Sequence, residues 1–150
     1  MVRYIRVGIL GILLLFGVLF SLGSSYGYDA KGIYYDNVRY SDNVHFYGVE
    51  GLNISYSADL SKLGDSYELI FDVVNDSGVD VVITDCFYHE EDPYIHYELT
   101  YVDGAKIQEG DLLQKDDVKT IRYVVTYQNP VMDDEYEVDS SFHILYEQKI

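Results

Sequence analysis

The chain has 150 residues, of which 26 are acidic and 10 basic, giving a formal net charge of −16 at pH 7. That length suits one ordinary domain with a short appendage, and the charge argues against nucleic acid, whose binding rests on Lys and Arg neutralising phosphates. Hydrophobic residues make up 48%, with 17 Tyr, no Trp and 2 Pro, a composition that supports a packed core and favours sheet over helix.

The first segment reads as a targeting element. Arg3 and Arg6 precede an almost wholly apolar run from Val7 to Leu22, and small residues follow as Gly23-Ser24-Ser25. This is the order of an export signal, and a cut after Gly27 would place Ser25 and Gly27 at the small-residue positions before it. The competing expectation is an uncleaved anchor over residues 7-27, because no charge occurs between Val7 and Tyr28 and a bilayer core is only about 30 Å thick. In both cases the arginines stay inside and the acidic body lies outside. The expected organisation is therefore 1-27, signal peptide or N-terminal signal anchor, and 28-150, an extracellular domain. The membrane is a partner only through the N-terminal segment, if it is uncleaved. Gly23-Ser24-Ser25-Tyr26-Gly27 also matches G-x-S-x-G, but a nucleophile elbow needs a strand-turn-helix context that an export signal does not supply.

The exported part reads as strands separated by turn residues. Ile33 to Tyr40 is the first, followed by the turn Ser41-Asp42-Asn43. Val44 to Ser57 is one bent strand or two short ones, interrupted at Gly48 and Gly51, with Leu52, Ile54 and Tyr56 facing one way. Ala58 to Leu63 suits a single helical turn. Ser66 to Phe87 is expected as a central hairpin, with Leu69, Phe71 and Val73 alternating against polar residues and Asn75-Asp76-Ser77-Gly78 as its turn. Tyr94 to Val102 alternates with Ile95, Tyr97, Leu99 and Tyr101 on one face, and Asp103-Gly104 is a strong hairpin signal leading to a return strand over Ala105 to Gln108. Val118 to Tyr127 sets Ile121, Tyr123, Val125 and Tyr127 on one face. Tyr136 to Tyr146 is the last strand, with Val138, Phe142, Ile144 and Tyr146 inward. Short, regularly spaced strands without a helical period predict an all-β fold, an antiparallel immunoglobulin-like or jelly-roll-type β-sandwich of seven to eight strands.

The short export signal, Gly64-Asp65-Ser66-Tyr67 leading into a strand that ends at Asn75, the turn and strand after it, Asp103-Gly104, and Gly110-Asp111-Leu112-Leu113 before a Val- and Tyr-rich strand together form a pattern. It resembles the camelysin and TasA-like group of small exported β-sandwich proteins of Gram-positive bacteria, over roughly residues 44 to 128. The resemblance implies a secreted or surface-retained structural protein, in some members able to assemble into fibres. Protease activity has been linked to camelysins, but this chain lacks H-E-x-x-H, the usual zinc-protease warrant.

Tested residue by residue, little chemistry converges. Cys86, His89 and His96 lie close in sequence, but a structural zinc site takes four ligands at paired spacing and the chain has 1 Cys. Cys86 itself reads as a small buried hydrophobe, with an intermolecular disulfide left open. Two acidic loops, Glu90-Glu91-Asp92 and Asp133-Asp134-Glu135, have the oxygen-rich composition that calcium wants without the D-x-[DN]-x-[DN]-G spacing, and the competing reading is plain solvation. No cofactor is expected. Asn53-Ile54-Ser55 and Asn75-Asp76-Ser77 would accept glycans only in a eukaryotic secretory route.

The tyrosines carry the functional signal. There are more than one small core can hide, and an exposed tyrosine offers a rigid ring and a hydroxyl to a partner. The candidate interaction face comprises Tyr94, His96, Tyr97, Tyr101, Tyr123 and Tyr127; the bland alternative is tyrosine replacing Phe and Trp at half-buried positions. The expected function is a non-enzymatic surface module, structural or adhesive, that self-associates through sheet edges or a tyrosine-rich face, or binds another surface protein. The alternative is a monomeric module binding a cell-wall carbohydrate, a peptide or calcium.

Overall fold

The computed structural model describes residues 19–26, 31–88, 92–130 and 138–149, with backbone alone for 19–26 and 138–139. Eleven strands are present and no helix among the described residues, hence none able to cross a membrane. In chain order they are β1 (Leu19–Tyr26), β2 (Ile33–Tyr40), β3 (Val44–Glu50), β4 (Asn53–Leu60), β5 (Ser66–Asn75), β6 (Val81–Tyr88), β7 (Ile95–Tyr101), β8 (Leu112–Leu113), β9 (Val118–Tyr127), β10 (Val138–Asp139) and β11 (Phe142–Gln148). The count exceeds the expected seven to eight because the last strand is split at Ser140-Ser141, the two-residue β8 is added, and β1 arises at the end of the apolar N-terminal run.

These strands form two sheets. One is ordered β2-β5-β9-β7, every neighbouring pair antiparallel. The other is ordered β3-β4-β1-β11-β6-β8, with β10 also beside β1. In it β1 runs antiparallel to β4 and parallel to β10 and β11.

The core between the sheets follows the sequence alternation. In β5, Tyr67, Leu69, Phe71 and Val73 are buried while Glu68, Ile70 and Asp72 lie half-exposed. In β9, Ile121, Tyr123 and Val125 point the same way. From the other sheet come Ile54, Tyr56, Ala58 and Leu60 of β4, Val81 and Ile83 of β6, and Phe142, Ile144 and Tyr146 of β11. Rings join the layers. Phe142 stacks on Phe71 with centroids 5.6 Å apart and tilts against Tyr123 at 4.7 Å, and Tyr56 meets Tyr67 edge-on at 5.8 Å.

Two expectations fail for physical reasons. Ser66 to Phe87 is not a hairpin, because β5 pairs with β2 and β9 whereas β6 pairs with β11 and β8. The Asn75–Gly78 turn carries the chain from one sheet to the other. Asn75 is fully buried there, its Nδ2 donating to the carbonyls of Val79 (2.8 Å), Leu113 (3.1 Å) and Gln114 (3.0 Å), and its Oδ1 accepting from Ser77 N–H and Oγ–H. Gly32 closes against the same turn. At φ +90 a Cβ there would come within 2.6 Å of Ser77 Cα, so only glycine fits without a backbone shift. Ala58 to Leu60, expected in a helical turn, complete β4, because Ala58 and Leu60 continue its buried face. The Asp103-Gly104 turn forms, with Gly104 N–H donating to Tyr101 O at 2.9 Å, but its return strand is reduced to one bridge, Thr100 with Lys106.

Candidate interaction surface

The six residues expected on one contact face are divided by the fold. Tyr97 and Tyr123 are buried in the core; Tyr94, Tyr101 and Tyr127 are half-buried against it; only His96 is exposed. The proposed face is therefore corrected, since the strand period that puts Tyr97 beside Ile95 and Leu99 turns it inward with them. Several of the buried hydroxyls are satisfied within the core, although that of Tyr35 is not. Tyr56 and Tyr123 both donate to the buried Ser140 carbonyl, at 3.1 and 2.8 Å, and Tyr56 Oη lies 3.4 Å from Tyr67 Oη. Tyr101 Oη–H donates to Asp111 Oδ2 at 2.8 Å. Burial, then the bonded Asp111, push the Tyr101 phenol well above its ordinary range.

Among the described residues the exposed tyrosines lie elsewhere, on β2 and β3. Tyr34, Tyr40 and Tyr47 are 38%, 48% and 68% exposed. Both strands end their sheets and run side by side, tied by Tyr35 N–H donating to Gly51 O at 2.8 Å, and Tyr40 stacks on Phe46 with centroids 5.2 Å apart. Tyr47 shares a 2.7 Å hydrogen bond with Ser57 Oγ, and His45 Nε2 lies 3.1 Å from Asp59 Oδ2 on the neighbouring strand. Sequence reasoning missed this grouping because it is made by two sheet ends meeting, although the adjacent pair Tyr34-Tyr35 already required one ring to face outward.

Both strands also carry irregularities. The β2 register shifts between Asp36 and Arg39, with Asn37 at φ 49, and the β3 register shifts between Phe46 and Gly48. Bulges of this kind spoil the ladder that a further strand would need, so this side presents side chains more readily than backbone groups.

A second exposed aromatic group occupies the outer face of β6 and β11. Phe87, 49% exposed, stacks on His143 with centroids 5.2 Å apart and an 18° interplanar angle, and His143 Nε2 is 3.1 Å from Asp85 Oδ2.

Of the candidate calcium ligands, Glu90, Glu91, Asp133, Asp134 and Glu135 lie outside the described residues. Asp92 is used locally, its Oδ1 accepting from the N–H groups of Tyr94 (2.8 Å) and Ile95 (3.0 Å) to start β7. No cluster of three His, Cys, Asp or Glu suited to a metal occurs among the described residues. Cys86 is half-buried on β6, packed against the core. His89, its candidate zinc partner, lies outside the described residues. The serines of the G-x-S-x-G match sit in β1, with Ser25 in register with Phe142, which is a strand and not an elbow. Asn75 is unavailable to a glycan in the folded protein, whereas Asn53 is exposed.

No protein-family model, curated protein or solved structure matches the chain.

Proposed function

We propose that the chain is a non-enzymatic, exported module of the immunoglobulin-like or jelly-roll sandwich class, structural or adhesive in role, that associates with further copies of itself outside the cell. The reading is carried by one observation: among the described residues the exposed tyrosines lie on β2 and β3, the strands that end the two sheets, with Tyr40 of β2 stacked on Phe46 of β3 and Tyr47 next to Phe46 in sequence. Rigid rings with hydroxyls give a large contact area at small entropic cost, and the surrounding acidity keeps the monomer soluble until rings meet rings. The resemblance to camelysin and TasA-like surface proteins agrees with this role. Light scattering on the protein recovered from an exporting host should show mass rising with concentration, and the Tyr40→Lys, Tyr47→Lys double variant should stay monomeric with an unchanged far-ultraviolet spectrum. A wild-type protein that is monomeric at every concentration would remove the proposal.

The second reading is a monomeric ligand-binding module, favoured by the Phe87–His143 stack beside Asp85. An exposed ring next to a carboxylate suits the apolar face and hydroxyls of a sugar. A panel of cell-wall glycans should then raise the melting temperature of the wild type and not of Phe87→Ala.

A further inference from the structure

Leu19–Tyr26 answers to two descriptions that exclude one another. By composition it closes the apolar stretch that an export signal or a membrane anchor would use. In the fold it is β1, paired from Leu19↔Leu60 to Ser24↔Ser55 with β4, and at Ser25↔Phe142 and Tyr26↔His143 with β11. A backbone in those ladders cannot also close the internal hydrogen bonds that a helix needs in lipid.

Nor is β1 a dispensable end strand. The order β3-β4-β1-β11-β6-β8 makes it the link between β3-β4 and the rest of their sheet. Without it the inner edges of β4 and β11 would carry unpaired N–H and C=O groups beside Ile54, Tyr56, Ala58, Leu60 and Phe142, all buried to 2% exposure or less. Its register suits the position. Ser21, Gly23 and Ser25 stand level with Ala58, Tyr56 and Phe142, so small residues hold the positions abreast of two of the largest core rings.

We propose that Leu19–Tyr26 is a permanent strand of the folded domain, supplied by its own chain, so that any maturation cut falls upstream of Leu19. This goes beyond the proposed function and takes from it only that the apolar segment directs export. A cut after Gly27 would remove the strand and leave the sheet in two pieces. A second consequence concerns anchoring. With β1 in place, the apolar run left for a membrane is Val7 to Val18, 12 residues, about 18 Å of helix against a hydrocarbon core of about 30 Å. The chain can therefore span the bilayer or complete its fold, and does not do both at once. Folding is coupled to leaving the membrane.

The test is a cross-link in the full-length chain. Ser24 and Ser55 are register partners, and directly opposed residues of antiparallel strands lie at Cα separations of about 4.5–5.5 Å, within disulfide range. In a Cys86→Ala background, the Ser24→Cys, Ser55→Cys variant should oxidise within single chains. The expected readout is a monomer that migrates faster without reductant and yields a disulfide-linked peptide joining the two segments. Failure to cross-link would overturn the proposal, and so would linked dimers or ladders, which would mean a strand supplied by another copy. The wild type gives an independent reading. Intact mass of the exported protein should place its N-terminus at or before Leu19, and a start at Tyr28 would overturn the proposal. If the protein stays inside the cell the export reading falls, and the cross-link still decides the origin of the strand.

Discussion

The two sheets are built on different plans. In the four-stranded sheet, β5, β9 and β7 pair without a register shift, β5 and β9 being ten residues long each, and Arg122 on β9 bridges Glu68 on β5 and Glu98 on β7 across its outer surface. The seven-stranded sheet is less regular. β8 and β10 have two residues each, β11 shifts register between Leu145 and Tyr146, and β1 comes from a segment remote in sequence from β4 and β11. The first sheet breaks register only at its end strand β2, between Asp36 and Arg39, whereas the second breaks it in both β3 and β11. A few residues belong to one sheet and bond or pack on the other, and they tie the two together.

Substitutions at those ties should have the largest effects. Phe142→Ala removes the ring that meets both Phe71 and Tyr123, and a buried Phe lost this way costs about 3–5 kcal/mol. Denaturant unfolding should show that loss with the slope unchanged. Asn75→Ala strips donors from the carbonyls of Val79, Leu113 and Gln114, joining the end of β5 to the opposite sheet, and should cost roughly 2–3 kcal/mol by leaving buried groups unmatched. A change within one sheet should matter less. Arg122→Gln breaks the surface bridges to Glu68 and Glu98 and should cost at most about 1 kcal/mol, shrinking with added salt. An Arg122 effect as large as that of Asn75 would contradict the contrast between the sheets.

The smallest effect belongs to the connection between them. Asp65 lies in the turn from β4 to β5, and its Oδ2 accepts from Lys62 N–H (2.8 Å), Ser61 N–H (3.0 Å) and Ser61 Oγ–H (3.1 Å). The Lys62 N–H most of all, with those of Ser61, holds its carboxyl below the ordinary carboxylate range despite an opposing desolvation. A depressed folded-state value means stabilisation that is present above the unfolded value and lost as pH falls through the folded one. Asp65→Asn should therefore lower stability slightly at neutral pH, and its unfolding curve should converge with the wild type in acid.

The same contrast explains what the sequence discloses. Ile33–Tyr40 and Val118–Tyr127 form strands with the bounds expected from sequence, the second because it buries one face and carries its own period. The Asn75–Gly78 turn misleads because a hairpin turn and a crossover between sheets use the same residues. Only the partners of β6 tell them apart, and β11 lies more than fifty positions further on. In β6 the parity slips, with Val81 and Ile83 buried, Asp85 exposed and Cys86 turned back toward the core, opposite the shift in β11. The tyrosine face fails on a different point. The period had already set Tyr97 and Tyr123 inward, but no local pattern shows that Ser140, 17 residues from Tyr123, supplies a carbonyl to its hydroxyl. The β2–β3 cluster was hidden because neither strand alone shows that the two lie together.

The buried phenols also tie the fold to alkali. Desolvation, before any neighbour, pushes the hydroxyls of Tyr35, Tyr56 and Tyr146 far up while the chain is folded; in the unfolded chain each returns to about 10. Raised values leave stability intact below that pH and withdraw it above, as the unfolded chain releases protons that the folded one keeps. Unfolding in base is thus a multi-proton event, and it should be steep. With no Trp in the chain, the phenolate absorbance that reports those protons leaving is also a direct optical record of the core coming apart.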